Sequence, residues 1–189
     1  MEDFDFIKHA KDCGFTEVAE TDPGKFRFMK EVRDMCRADK CNHYNKSWNC
    51  PPACGTLEET AARASRYGNC VLVQTVGHAA DEYDVEFYTE TAVLHNKNFR
   101  AFVSGALKKN IDIFPMGMGA CRLCEVCAYP DLPCRFPDTS FLSMEACGLL
   151  VSRVCEDAGL PYYYGPGSIA YISCCLYNVK STDAGAERT

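Results

Sequence analysis

Four cysteines in the second half of the chain have the spacing of a loop that binds a metal cluster. Cys121, Cys124 and Cys127 are each separated by two residues, and Cys134 follows after six more. Three thiolates at this spacing can wrap a compact turn around one face of a cubane, and a fourth arrives from farther along the chain. Zinc sites usually use separate cysteine pairs, so zinc and free thiols are the weaker alternatives. We therefore predict that these four residues bind one [4Fe–4S] cluster.

A second set of four cysteines lies nearer the start of the chain and has a less regular spacing. Four residues separate Cys36 from Cys41, eight separate Cys41 from Cys50, and three separate Cys50 from Cys54. Pro51 follows Cys50 directly, as proline follows the distal cysteine of bacterial cluster loops. We predict a second metal site on Cys36, Cys41 and Cys50, with iron–sulfur favoured over zinc. Cys54 is the candidate fourth ligand.

The number of cysteine ligands in this second site decides which chemistry it supports. Four cysteines close a site and favour electron transfer, whereas three leave one iron open for a substrate. Three functions remain open. The first is a redox protein that passes electrons through one or two [4Fe–4S] clusters to a partner protein. The others are an enzyme whose cluster has an open iron and a structural zinc-binding module.

The composition indicates a reducing compartment. The chain has 14 cysteines in 189 residues and a net charge of −6, and its first residues lack the basic and apolar regions of a signal peptide. A cytoplasmic location, where thiols stay reduced, favours metal ligands over disulfides. The negative charge argues against nucleic acid or an anionic membrane as a partner. Glycines and prolines in the uncharged segment 158–179 indicate a turn and a buried strand, not a membrane span.

Helix and strand patterns alternate around the two cysteine-rich segments and predict an α/β fold. The predicted helices span residues 3–13, 56–67, 83–109 and 141–158, and the predicted strands span residues 16–20, 70–76, 111–116 and 169–179. The cysteine loops fill residues 36–55 and 117–137. The strand–helix–strand order predicts a small, mostly parallel sheet with crossover helices. We expect a single domain over residues 1–179 and a flexible C-terminal tail over residues 180–189.

Other titratable residues have structural interpretations. His95 lies on the apolar face of the longest predicted helix and is predicted to be a hydrogen-bonded core histidine. Glu145 falls in the first turn of the predicted helix 141–158, where a carboxylate complements the helix dipole, with a proton-relay role as the alternative. The cysteines predicted to lie in the hydrophobic core are Cys13, Cys70, Cys147, Cys155, Cys174 and Cys175.

Two longer motifs surround the metal-site cysteines. The first reads Cys36-Arg-Ala-Asp-Lys-Cys41-Asn-His-Tyr44-Asn-Lys-Ser-Trp48-Asn-Cys50-Pro51-Pro52. The second combines Cys121-x2-Cys124-x2-Cys127 with Pro133-Cys134-Arg135-x-Pro137 and Ser143-Met144-Glu145-Ala146-x-Gly148. Together they resemble the DUF2284 family of predicted metal-binding proteins over nearly the whole chain. The resemblance implies cysteine-bound metal, with iron–sulfur foremost, in a small cytosolic α/β protein. It implies no particular reaction, and it does not require a cysteine at the position of Cys54.

Overall fold

The computed structural model of the protein describes residues 4–178, which include all 14 cysteines. Its helices are α1 (Phe6–Asp12), α2 (Lys30–Arg37), α3 (Leu57–Ala64), α4 (Val85–Lys108) and α5 (Val151–Asp157). Its strands are β1 (Glu17–Thr21), β2 (Asn69–His78), β3 (Ile113–Gly117), β4 (Leu142–Ser143) and β5 (Ser168–Tyr177). None of the helices in these described residues is long and apolar enough to cross a bilayer. The predicted tail, residues 180–189, lies outside the described residues.

The strands of the described residues form one mixed sheet with the order β1-β2-β5-β3-β4. The centre of the sheet is a long antiparallel pair, β2 with β5, that runs from Asn69 opposite Tyr177 to His78 opposite Ser168. β1 and β3 add to this pair, each antiparallel to its neighbour. Only β3 and β4 are parallel. The sheet is therefore mostly antiparallel.

The predicted mostly parallel sheet is wrong because the last strand, β5, enters the sheet between β2 and β3 and runs antiparallel to both. β5 pairs antiparallel with β2 on one side and with β3 on the other. β2 and β3 consequently run in the same direction, as expected for strands that a long helix such as α4 connects. The alternation of helix and strand along the chain could not predict that β5 separates β2 from β3.

The predicted helix over residues 141–158 is wrong in its first half. Only its second half is helical, as α5, while β4 and a turn over residues 144–148 occupy the first half. Gly148 has a φ of +87°, a left-handed conformation that interrupts a helix and that glycine adopts at little cost. Leu149 then forms a β-bridge with Phe28. Glu145 lies in this turn, well before α5 begins, so its interpretation as a helix-dipole partner is wrong.

Alternate residues of the two central strands face two hydrophobic cores, one on each side of the sheet. Leu72 and Cys174 face the core that contains α3 and α5 residues, whereas Val73 and Cys175 face the core formed with α1 and α4. Five of the six cysteines predicted to lie in the hydrophobic core are buried, which confirms the prediction for Cys70, Cys147, Cys155, Cys174 and Cys175. The sixth, Cys13, is half-buried.

A buried polar cluster fixes α4 to the sheet. His95 Nδ1 lies 2.9 Å from Thr75 Oγ1, and its Nε2 lies 2.8 Å from Ser173 Oγ. Burial lowers the pKa of His95 to about 3, so the imidazole is neutral at physiological pH. A neutral imidazole needs one donor and one acceptor, and two hydroxyl groups satisfy both. The prediction of a hydrogen-bonded core histidine is therefore confirmed.

Candidate metal centre

The second cysteine loop, residues 118–141, leaves the sheet and returns to it at one point of its edge. Gly117, the last residue of β3, is opposite Ser143 of β4. The Met144 backbone N–H donates to the Gly117 carbonyl at 3.0 Å. Hydrogen bonds of the sheet thus hold the two ends of the loop together at its base. This closure concentrates its four cysteines in a small volume.

All four predicted ligands of this loop line one cavity. Cys121, Cys124, Cys127 and Cys134 border a cleft with about 360 Å³ of empty space, its opening to solvent included. Each of the four residues is half-buried, and none forms a disulfide. Apolar walls of the cavity come from Trp48, Leu123, Ala128 and Phe136. The structure therefore brings the whole second set of predicted ligands together.

The first cysteine loop, residues 38–56, completes the wall of this cavity. Trp48 and Asn49 line it beside the cysteines of the other loop. The Trp48 Nε1–H donates to the Leu132 carbonyl at 3.0 Å, and its ring meets the Tyr129 ring edge-on with centroids 4.9 Å apart. Asn49 Nδ2 donates to the Phe141 carbonyl at 3.0 Å. The sequence analysis missed this contribution because residue spacing along the chain does not report contacts between distant loops.

Hydrogen-bond donors surround the sulfur of Cys127. Partial burial raises the pKa of this thiol, but hydrogen bonds from the Tyr129 and Trp48 backbone N–H groups lower it. The Ser47 hydroxyl adds a further donor, and the net pKa of Cys127 is lowered. Donors that favour the thiolate also suit a metal-bound sulfur, because both carry negative charge. This part of the cavity is thus prepared for an anionic ligand.

The four cysteines of the first set lie within range of one another's charges. Cys36 belongs to the last turn of α2, and the other three belong to the first cysteine loop. Burial raises the pKa of Cys50 to about 12, and the charges of Cys41, Cys54 and Cys36 contribute to the shift. A charge acts on a thiol in this way only over a short range. A bound metal cation would reverse the shift, because coordinated thiols are deprotonated.

Residues with left-handed backbone conformations shape the start of the first cysteine loop. Asp39, Asn42 and Asn45 have φ values of 50°, 59° and 55°, and asparagine and aspartate are the non-glycine residues that adopt this conformation most readily. Asp39 also accepts a hydrogen bond from the Tyr44 backbone N–H at 2.8 Å. The Asn45 N–H donates to the Pro51 carbonyl at 2.8 Å. These turns fold the segment between Cys41 and Cys50 back on itself.

An arginine and a glutamate lie beside the first set. Arg33, one turn before Cys36 on α2, donates to the Ala146 carbonyl at 2.7 Å and to the Gly55 carbonyl at 2.6 Å. Burial raises the pKa of Cys36, and the negative charge of Glu145 is the next largest cause. Oε2 of Glu145 is buried and has no hydrogen-bond partner among residues 4–178. A buried carboxylate oxygen needs a donor or a cation, so this orphaned atom fits a site built for a metal.

A larger cleft runs between the two cysteine sets. Cys54 of the first set and Cys134 of the second both line it, and its empty space is about 1110 Å³ including its opening to solvent. Much of its lining is apolar and comes from α4 and β3. Arg63 of α3 also lines the cleft, with its guanidinium carbon 4.0 Å from the centroid of the Phe114 ring. Each cysteine set therefore contributes one thiol to a shared space.

The two sets are not arranged around single metal ions. Within the described residues, no three histidine, cysteine, aspartate or glutamate side chains lie close enough together to hold one ion. In a cubane cluster each thiolate binds its own iron atom, so the ligands border the cluster instead of converging on one point. The grouping of the cysteines accordingly rests on their shared cavity in the second set and on their mutual charge effects in the first.

Two groups of four thiols on loops fixed to one sheet define a cysteine-rich protein with the donors that soft metals prefer. The chain belongs to the DUF2284 family, described as predicted metal-binding protein, whose match covers residues 19–177. This match confirms the resemblance found in the cysteine motifs. No curated protein and no solved structure matches the chain. The family description supports metal binding and does not name the metal.

Proposed function

We propose that this protein is an iron–sulfur protein that carries electrons to a partner protein. One [4Fe–4S] cluster would be held by Cys121, Cys124, Cys127 and Cys134, and a second by the first cysteine set. The strongest support is that all four cysteines of one closed loop border the same cavity. Four thiolates are the usual ligands of such a cluster, which supplies reversible one-electron chemistry when bound.

The surroundings of the second set suit a redox centre. Apolar walls and hydrogen bonds to ligand sulfurs are the levers by which proteins adjust a cluster's potential. The donors around Cys127 are one such lever. Arg135 lines the same cavity, and its Nη1 donates to the Val126 carbonyl at 2.8 Å. Its positive charge would offset the negative charge of a cluster and raise the potential.

Exposed apolar side chains on the second cysteine loop offer a contact surface for the partner. Val126, Leu132 and Phe136 are 75%, 61% and 43% exposed. Clusters of exposed apolar residues commonly mark surfaces that bind other proteins. A partner bound here would lie directly against the loop that carries the proposed cluster, which shortens the path for an electron.

Anaerobic purification with iron, acid-labile sulfide and zinc analysis tests the proposal. We expect iron and sulfide in equal amounts, broad visible absorption, and bleaching by dithionite. The variant Cys124→Ala should lose about one cluster per chain, because it removes a ligand of the second set. Cys13→Ser is the matched control, since Cys13 is half-buried and belongs to neither set. Stoichiometric zinc without sulfide would instead identify a structural zinc-binding module.

One observation favours an enzyme as the second candidate function. The cleft between the two sets has a cavity volume of about 500 Å³, a size typical of small-molecule sites, and it is bordered by a thiol from each cysteine set. A cluster with one iron that lacks a cysteine ligand could bind a substrate there. Added cyanide or a small thiol would then change the EPR spectrum of the reduced protein, whereas clusters with complete cysteine ligation would not respond.

A further inference from the structure

We propose that Glu145 supplies a carboxylate oxygen to the metal at the first cysteine set, beside the thiolates of Cys36, Cys41 and Cys50. This inference deepens the proposed function and rests on it, since it assumes that metal binds there. The site would then have a mixed donor set of sulfur and oxygen. Cys54 would not be needed as a ligand.

The orphaned oxygen of Glu145 is the observation that carries this proposal. Among the described residues, it is the one buried side-chain nitrogen or oxygen atom that lacks a hydrogen-bond partner. Buried polar atoms in folded proteins are almost always hydrogen-bonded, and an exception calls for a specific cause such as a bound ion. The contacts of the neighbouring residue place the carboxylate near the first set, because the Ala146 carbonyl accepts a hydrogen bond from Arg33 at 2.7 Å and lies 3.9 Å from the Cys54 thiol.

The cation nearest to this carboxylate is already engaged elsewhere. Arg33 shares the helix face of Cys36, but its two terminal nitrogens donate to the backbone carbonyls of Ala146 and Gly55. No ion pair joins Arg33 to Glu145 in the described part of the chain. A carboxylate with one buried oxygen and no cationic partner is unfavourable unless another positive charge compensates it. A metal at the cysteine set would supply that charge.

The local backbone fixes Glu145 in this position. The turn over residues 144–148 follows β4, and the Ala146 backbone N–H donates to the Ser143 hydroxyl at 3.0 Å. Two residues at the first set contact the same turn. Arg33 donates to the Ala146 carbonyl, and the Cys54 thiol lies 3.9 Å from that carbonyl oxygen. Cys54 thus contacts the backbone of the turn that carries Glu145. This arrangement favours the carboxylate over Cys54 as the fourth donor.

Glu145→Gln and Glu145→Asp, compared with the full-length wild type, test the proposal. After anaerobic reconstitution with iron and sulfide, we expect Glu145→Gln to lose iron from the first set or to change its EPR signal. Loss of a ligand should weaken metal binding by at least the roughly 10–100-fold seen when an outer-sphere partner is removed. Glu145→Asp keeps a carboxylate, so its metal affinity should lie between those of the wild type and Glu145→Gln. The matched control is Glu86→Gln, an exposed glutamate in the first turn of α4.

The unfolding of the apo proteins separates a ligand from a merely structural residue. Glu145 is half-buried, and its one buried oxygen lacks a partner. Replacing this carboxylate by a neutral amide should leave the apo protein as stable as the wild type or stabilise it. A ligand role therefore predicts unchanged or higher apo stability together with weaker metal binding. Lower apo stability with unchanged metal binding would overturn the proposal.

The remaining outcomes distinguish this inference from the proposed function. If Glu145→Gln binds the same iron and sulfide as the wild type with the same EPR spectrum, the inference is wrong and the proposed function stands. If the wild type binds no cluster, the proposed function fails, and zinc affinity measured against a competing chelator decides the inference. Weaker zinc binding by Glu145→Gln would then support it, and equal binding would overturn it.

Discussion

The two cysteine sets differ in how readily the protein accommodates thiolates before metal binds. In the second set, hydrogen-bond donors lower the pKa of Cys127 despite partial burial. In the first set, burial and neighbouring thiols raise the pKa of Cys50 to about 12, and the Glu145 carboxylate adds negative charge beside Cys36. Burial raises the pKa of Cys121, so the donors prepare one ligand of the second set, Cys127, to be anionic. In the first set, burial raises the pKa of Cys36, Cys50 and Cys54, so a bound metal cation would have to displace their protons.

The backbones that carry the two sets differ in the same sense. The pairing of β3 with β4 closes the second cysteine loop at its base. The first cysteine loop relies on short turns around Asp39, Asn42 and Asn45 and on contacts with the second loop. We infer that, if both proposed centres bind metal, the second would be largely built by the fold and the first completed by metal binding. The following predictions test this difference.

The largest expected effect is the selective loss of the first centre in Cys50→Ser. Cys50 is 8% exposed and is surrounded by the other thiols of its set. Serine is a poor ligand for iron in a sulfide cluster, so the variant should lose about half of its iron and sulfide, the share of one cluster in two. The EPR signal that Cys124→Ala abolishes should remain. Iron analysis and EPR of the reduced protein measure both effects.

Cys13→Ser provides the control here as well, and it should retain all of the iron. Loss of the iron of both centres in Cys50→Ser would contradict the claim that the fold builds the second centre, because the second centre could then not form without the first. Unchanged iron in Cys50→Ser would mean that the first set binds no metal at all.

A smaller effect is expected from pH. A thiol must lose its proton to bind metal, so a raised pKa strengthens competition from protons. As the pH falls from 8 towards 6, the first centre should release metal before the second, with affinity falling by about tenfold per pH unit for each proton displaced. Release of iron to a chelator, followed at several pH values by EPR, measures the order. Simultaneous release from both centres would contradict the pKa difference.

The apo protein should show the opposite dependence on pH. The neutral Cys50 thiol is favoured in the folded state, so its contribution to stability is complete below its ordinary pKa of 9.0 and is lost as the pH rises towards about 12. Ser47→Ala removes a donor to Cys127 and to Cys50, so it should raise the pKa of one thiol in each set and move metal release from both centres to higher pH.

The parts of this protein that the sequence predicted are those determined by local spacing. The spacing of the cysteines identified two groups, and the structure gathers each group in one region. The predicted helix over residues 56–67 is likewise present as α3, and the capping box that starts it joins residues only three apart, Thr56 and Glu59. The position of β5 in the sheet was not predictable in this way, because strand order depends on which surfaces pack together in three dimensions. The same limit hid the role of Trp48 in the second cavity.

The neighbourhood of Glu145 shows this limit at a single residue. Its apolar surroundings in sequence predicted a helix from residue 141, which would have placed the carboxylate at a helix end. Gly148 and the bridge between Leu149 and Phe28 produce a turn instead. Only the folded chain shows that Arg33 is engaged elsewhere and that one oxygen of Glu145 lacks a partner.

The smallest expected effect concerns the contact between the two loops, and Trp48→Phe isolates it. Phenylalanine keeps an aromatic ring against Tyr129 but cannot donate to the Leu132 carbonyl, which Trp48 Nε1 does at 3.0 Å. A hydrogen bond of this kind contributes about 0.5–1.5 kcal/mol. If the second centre is largely built by the fold, the variant should still bind both clusters. It should lose the second one to a chelator about 2–10-fold faster, the range that corresponds to this energy.

Tyr129→Phe is the matched control for this variant, because it removes a different hydrogen bond between the loops, from the Tyr129 hydroxyl to Asn45 Oδ1 at 2.7 Å. Asn45 does not border the cavity, whereas Trp48 does. Tyr129→Phe should therefore affect the second cluster less than Trp48→Phe does. Complete loss of the second cluster in Trp48→Phe would show that the second cavity depends on the first cysteine loop for its formation, and the proposed contrast between a preformed and a metal-completed centre would have to be abandoned.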